Sequence, residues 1–289
     1  MPITPSSTIE QWMRDALALL SRTLTAQLQS VATHQVLIVD GWAASPAVRV
    51  AIARYLVGLR VCAIDAGLSI RAELTAGAKG PIEVVQNVNQ VIGNAAGALD
   101  ADTISKFRNP WIAEGLWHLC LVVAKQCAGC HPPGQVVAVN LPHPNPTDHG
   151  IDVAVLYTCP QGYGLSIVES KAYPKNIGAA VHRSTVFFRE IDDGTHSVRL
   201  RQVMAVLRQH LPSADQPQVS QLLWQERRTY IANPHYDAAH AIDWTNERPA
   251  LAALFPGAKG VFVMPHGIIK FSAFFEDIAE EMRRQAAAV

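Results

Sequence analysis

Apolar residues along this chain fall into short blocks, separated by clusters of Gly, Pro, Asn and Asp. The most regular block spans residues 150–175. Two runs rich in Val, Ile and Leu, 151–158 and 164–173, flank a Pro-Gln-Gly-Tyr connection. β-favouring residues on either side of such punctuation predict an antiparallel hairpin. Upstream, residues 6–33 read as a helix with Ser6, Ser7 and Thr8 as N-caps, 35–40 as a buried strand and 47–59 as an amphipathic helix. A strand-like 61–65 and a mixed 70–91 follow. Gly93–Gly97 and Asp100-Ala101-Asp102 look like a boundary, dividing the chain into a smaller N-terminal α/β domain (1–100) and a larger domain (101–289). In the second part, Asn109 and Pro110 suit the N-cap and first position of a helix running to about residue 125, apolar almost all round and therefore buried. A strand at 135–140 and a Pro-rich loop at 141–149 lead into the hairpin. Helices at 176–190 and 197–211, a segment at 218–232 that fits strand or helix, a strand at 260–265 and an amphipathic helix at 271–284 complete an α/β fold.

The hairpin register has a chemical consequence. A reversal near Gln161–Gly162 opposes residues whose numbers sum to about 323, which brings Asp152 to the neighbourhood of Ser170 and Lys171. Glu169 and Lys171 are two apart and share a face of their strand. Two carboxylates and an ammonium thus converge at the open end of one hairpin, within otherwise apolar strands. A Glu-x-Lys on its own is usually an exposed ion pair of little worth. Adding Asp152 favours a site, because neighbouring carboxylates raise each other's pKa unless a cation lies between them. Mg²⁺ answers that need with one or two carboxylates plus substrate phosphate.

Asp152 followed by Glu169-Ser170-Lys171 at the end of the next strand resembles the PD-(D/E)xK nuclease superfamily, also called restriction-endonuclease-like. Ile151 stands where that superfamily often has Pro. The resemblance implies a restriction-endonuclease-like mixed sheet flanked by helices. It also implies an Mg²⁺- (or Mn²⁺-) dependent phosphodiesterase acting on nucleic acid, with DNA the expected substrate, Asp152 and Glu169 as metal ligands and Lys171 beside the attacking water. Many of these nucleases carry a Glu on the helix before the core strands, and Glu114 fits that place; the alternative is that it pairs with His118, one turn on. The layout also resembles, more distantly, the nuclease subunit of the Hachiman antiphage defence system, which implies a helicase partner.

Composition narrows the remaining readings. With 289 residues, 49% hydrophobic and 17% charged, the chain describes a compact protein with a sizeable core. Lys+Arg and Asp+Glu both number 24, so net charge carries no nucleic-acid signature. Locally, Lys171, Lys175, Arg183, Arg189, Arg199, Arg201 and Arg208 outnumber Glu169, Glu190, Asp192 and Asp193, an excess that could track a phosphate backbone or be a solvated helix face. Arg183, Arg199, Arg201 and Gln202 are the candidate nucleic-acid contacts. The start has no basic region followed by an apolar run, and the longest apolar stretch is too short to span a bilayer, so a cytoplasmic chain with no membrane association is expected.

Other motifs carry less. Residues 77–83 (GAKGPIE) lack the Gly-Lys-Ser/Thr ending of a phosphate loop and read as a turn. Cys127-Ala128-Gly129-Cys130-His131 matches a c-type haem attachment pattern, but without export a reduced pair is expected; a zinc site would need a second Cys-x-x-Cys. His143, Asp148 and His149 could be ligands, although a Pro-rich loop at the mouth of the site is the simpler reading. The rival from another class is a catalytically inactive nuclease-fold protein serving as a nucleic-acid-binding or interaction module.

Overall fold

The computed structural model describes residues 5–43, 45–70, 80–124, 134–147, 150–160, 162–219, 227–246, 248–254 and 260–289. Among them, β1 (Thr25–Val31), β2 (His34–Asp40), β3 (Gln135–Val139), β4 (Val153–Cys159), β5 (Gly162–Ala172), β6 (Arg228–Asp237), β7 (Gly260–Val263) and β8 (His266–Ile268) form one mixed sheet, ordered β1-β2-β7-β6-β5-β4-β3. β7 and β8 share one edge of β6, β7 against Thr229–Ala232 and β8 against His235–Asp237. The pairs β1/β2, β4/β5 and β3/β4 are antiparallel; β2/β7, β6/β7 and β5/β6 are parallel.

Strand alternation sends side chains to two cores. Val153, Val155 and Val168 join a core built with α1 (Pro5–Thr23), α2 (Pro46–Arg60), α3 (Gly80–Ile92), and two further helices. A single turn, α4 (Ala101–Thr103), leads through a π-helical segment into the first of these, α5 (Asn109–Ala124). Ala154, Leu156, Leu165 and Ile167 face a second core with α6 (Ile177–Asp192) and α7 (Ser197–Gln209). After a short α8 (Pro249–Ala252), α9 (Phe271–Ala286) closes the first core. The result is an α/β fold with helices on both faces of a mixed sheet. The boundary expected near residue 100 falls between α3 and α4; strands from both sides of it share the sheet, and α9 packs on α2 and α3. No helix among the described residues is long and apolar enough to cross a membrane.

Several local expectations change. The helix predicted over 6–33 ends at Thr23, and Thr25–Val31 pairs with β2 along its whole length. Leu24, Ala26 and Leu28 alternate with Thr25, Gln27 and Gln29, and tertiary pairing selects that period of two over helix. Residues 61–65 contribute only an isolated bridge, Ile64 to Ile70. Asn109 is not an N-cap. Asp100 caps α4, its carboxylate accepting from Thr103 N at 2.7 Å, and the chain is already helical at Asn109, which closes a π-turn to Ile104 O. The π-turn comes immediately before Pro110, whose ring removes a helical donor, a usual reason for local rewinding. At Asn176 the predicted cap forms, Oδ1 accepting from Ala179 N at 2.9 Å.

α5 is fixed by α2. A Cβ on Gly115 would lie 2.4 Å from Leu56 Cδ2, so the bare glycine lets the two helices meet closely. One turn on, His118 Nδ1 bonds the buried Tyr55 hydroxyl at 2.7 Å, while His118 Nε2 is buried without a hydrogen-bond partner among the described residues. Replacing Tyr55 by Phe should remove that contact without changing shape. We expect Tyr55→Phe to lower unfolding free energy by ~1–3 kcal/mol in urea titrations at pH 7; an unchanged midpoint would show that the pair contributes nothing.

Candidate active site

Asp152, Glu169 and Lys171, singled out by spacing, and Glu114, expected from the resemblance, lie close together in space. Asp152 immediately precedes β4, Glu169 and Lys171 lie near the end of β5, and Glu114 projects from α5. The hairpin register differs by two residues from expectation: Val153 faces Val168 and Cys159 faces Gly162, so the reversal lies between Cys159 and Gly162. Continuing that register sets Asp152 opposite Glu169. A shift of two preserves the face, which is why the carboxylates and the lysine still converge.

Lys171 Nζ bonds Glu169 Oε1 and lies 3.8 Å from Asp152 Oδ2. The same Oδ2 accepts from the backbone N–H of Ser170 at 3.0 Å, fixing the Asp152 side chain on the neighbouring strand. Glu114 Oε2 and Glu169 Oε2 are both buried without a hydrogen-bond partner among the described residues. Glu114 does not pair with His118, which is committed to Tyr55. Its neighbour is His143, with Nδ1 3.6 Å from Oε2, an ion-pair separation rather than a hydrogen bond. Trp111, three residues before Glu114 on α5, donates its indole N–H to His143 O at 3.2 Å and so pins the Pro-rich loop beside the carboxylate. Gly150, at φ +150°, makes the bend from that loop into β4, a conformation suited to glycine. Ligand atoms of Glu114, His143 and Asp152 all lie within 4.8 Å of one another.

The electrostatics follow from burial and like charge. Burial, then the Asp152 carboxylate, raises Glu114 from its usual value to about 7. Burial and Asp152 push Glu169 well above its usual range as well. Burial alone would depress Lys171, but Asp152 and Glu169 more than offset this and raise it, so it remains a cation. The Glu114 carboxylate raises His143 against the opposing effect of burial. The chain has assembled more negative charge than one lysine neutralises.

The candidate nucleic-acid contacts divide. Arg199 lies beside Gly150 and lines, with Gln202, Asn140 and His210, a cavity of about 570 Å³. Arg183 is exposed and sits over the Tyr173 ring at 5.7 Å. Arg201 is exposed on α7, two residues from Arg199, a spacing that does not share a helix face. Asp148, His149 and the Cys127–His131 motif lie outside the described residues. Sequence spacing gave no sign of the Trp111 bond that positions His143. No protein-family model matches the chain, and no curated protein matches it.

Glu114 supplies a pH test. Its native pKa of about 7 exceeds the ordinary 4.5, so the native state holds a proton that the unfolded chain releases between those values. Stability linked to Glu114 is therefore full below about pH 4.5 and lost as pH rises through 7. In metal-free buffer, Glu114→Gln should raise the melting temperature at pH 8, by the equivalent of ~3 kcal/mol, and leave it unchanged at pH 4. Equal effects at both pH values would remove the buried charge as the cause.

Proposed function

We infer that the chain is a metal-dependent nuclease of the PD-(D/E)xK kind, hydrolysing nucleic-acid phosphodiesters, with DNA the expected substrate. The observation that carries this reading is the convergence of Glu114, Asp152, Glu169 and Lys171 from a helix and two adjacent strand ends. A surplus of buried carboxylate beside a fixed ammonium is costly unless a cation completes it. Two buried, unpartnered carboxylate oxygens and a compact set of ligand atoms fit a divalent ion. Glu114, Asp152 and Glu169 would hold Mg²⁺ or Mn²⁺, which supplies Lewis acidity toward a phosphoryl oxygen and makes water more acidic. His143 extends the donor set, and an imidazole beside carboxylates favours Mn²⁺ over Mg²⁺.

The chain's own residues then have separate tasks. The Ser170 N–H holds Asp152 Oδ2, leaving Oδ1 without a protein partner among the described residues. Lys171, bridging Glu169 and Asp152, carries N–H donors for a water or for charge developing on the scissile phosphate. Arg199 and Gln202, on the cavity next to the site, suit the adjoining phosphates. The whole chain has no net positive charge, so sequence-independent affinity for nucleic acid should be weak at physiological salt. A partner that delivers the strand, such as a helicase in antiphage defence, belongs to the same reading.

Two measurements check it. With Mn²⁺ at low ionic strength, the purified chain should cut plasmid or oligonucleotide DNA. EDTA should abolish cutting, and Glu169→Ala or Lys171→Ala should reduce it ~100-fold or more. Full cutting by both variants would sink the assignment. The metal-independent rival, an inactive interaction module, predicts no heat of Mn²⁺ binding to wild type in calorimetry. The nuclease reading predicts binding that Asp152→Asn weakens. Raising salt to physiological strength should suppress cutting by the isolated chain; vigorous activity there would remove the need for a partner.

A further inference from the structure

On the face of the sheet away from Glu169 and Lys171, a chain of buried polar groups runs from β5 to a second pocket. Asn233 Nδ2 donates to Met264 O at 2.7 Å, which fixes Asn233 Oδ1 as an acceptor. That oxygen takes the Ser170 hydroxyl at 2.7 Å and His235 Nε2 at 2.7 Å, so His235 carries its proton on Nε2. His235 Nδ1 must then accept. It lies 3.0 Å from His266 Nδ1, so His266 is the donor there and its remaining nitrogen, Nε2, presents a lone pair. His266 is 8% exposed, and Nε2 has no partner among the described residues. Burial holds His266 neutral, lowering its pKa to about 3.

His266 lines a pocket of about 310 Å³ together with Trp42, Tyr236, Trp244, Phe274 and Asp40. The indole N–H groups are already satisfied, Trp42 by Val39 O at 3.0 Å and Trp244 by Tyr236 Oη at 3.2 Å. The tryptophans therefore offer ring surface rather than donors. Trp42 stands against His266 with ring centroids 5.3 Å apart. Asp40, which ends β2 opposite Thr25, is exposed, and its carboxylate has no hydrogen bond or ion pair among the described residues. The pocket combines aromatic walls with two acceptors, an imidazole lone pair and a carboxylate. Its complement is a flat ring with adjacent N–H donors along one edge.

We propose that this pocket binds a purine base of the guanine type, stacked against Trp42 with its N–H edge donating to Asp40 and His266. The site is separate from the carboxylate cluster and does not depend on how that cluster is read. Guanine fits because its ring nitrogen and exocyclic amine lie side by side, matching a carboxylate as a bidentate acceptor, while adenine and the pyrimidines lack that paired edge.

Guanosine, which has no phosphate to engage the other site, is the probe, titrated in EDTA while tryptophan fluorescence is read. Saturable quenching with a Kd below about 0.5 mM is expected. Binding should weaken ~10-fold with 1-methylguanosine, which lacks the ring N–H, and ~10-fold in the exposed-site variant Asp40→Asn. His266→Phe should likewise weaken it, with folding checked by circular dichroism, and Glu169→Gln should leave it unchanged. No saturation by about 2 mM guanosine, or equal affinity for the methylated nucleoside, would overturn the proposal. So would equal binding by Asp40→Asn.

Discussion

Charge crowding at the end of one hairpin is the constraint on which the site depends. Glu169 is buried and Glu114 half-buried, both within reach of Asp152, and both are pushed above the usual carboxylate range. Lys171 offsets part of this, and His143 more when protonated. Buried charges that are incompletely paired are costly, by several kcal/mol per ion in many proteins. A sequence under no demand but stability would resolve this with apolar residues of similar volume. Retaining the cluster makes sense where a ligand completes it.

The rest of the molecule holds that crowding in place. Packing of α5 against α2, through Gly115 and Leu56 and through the Tyr55–His118 bond, sets the position of Glu114. The Trp111 indole anchors the loop bearing His143 to the same helix. The Ser170 N–H anchors Asp152 across the hairpin, while the Ser170 hydroxyl joins the buried polar chain through Asn233 and His235 to His266. Ser170 thus links the strand of the carboxylate cluster to the aromatic pocket on the other face. The two clusters are distinct in chemistry, one acidic and lined by charge, the other aromatic with an imidazole and a carboxylate at its walls.

What the sequence made legible follows from which forces are local. β4 and β5 were readable because Val, Ile and Leu between Gly and Pro leave few alternatives, and the period of two put Glu169 and Lys171 together even though the turn was placed one residue late. Asp152 joined them through the same hairpin pairing, whereas Glu114 was placed only by the family resemblance, against a pairing with His118 that does not form. Residues 25–31 were lost because Leu24, Ala26 and Leu28 fit a strand only once β2 lies alongside. The N-cap at Asn109 failed because a π-turn, invisible to residue preference, carries the helix through Pro110. His143 was open in the sequence as a ligand, with a Pro-rich loop the simpler reading, and folding sets it beside Glu114 and Asp152; the Asn233–His235–His266 chain depends on contacts for which spacing has no signal. The aromatic pocket likewise brings Trp42 to His266 across the sheet.

Anomalous diffraction at the manganese edge, from crystals of the chain grown with Mn²⁺, tests the central claim most directly. A carboxylate cluster that requires a cation predicts an anomalous peak among Glu114, Asp152 and Glu169, within ligand distance of their oxygens and with Lys171 retained beside it. Well-ordered side chains in the arrangement described, with no anomalous peak at saturating Mn²⁺, would contradict it.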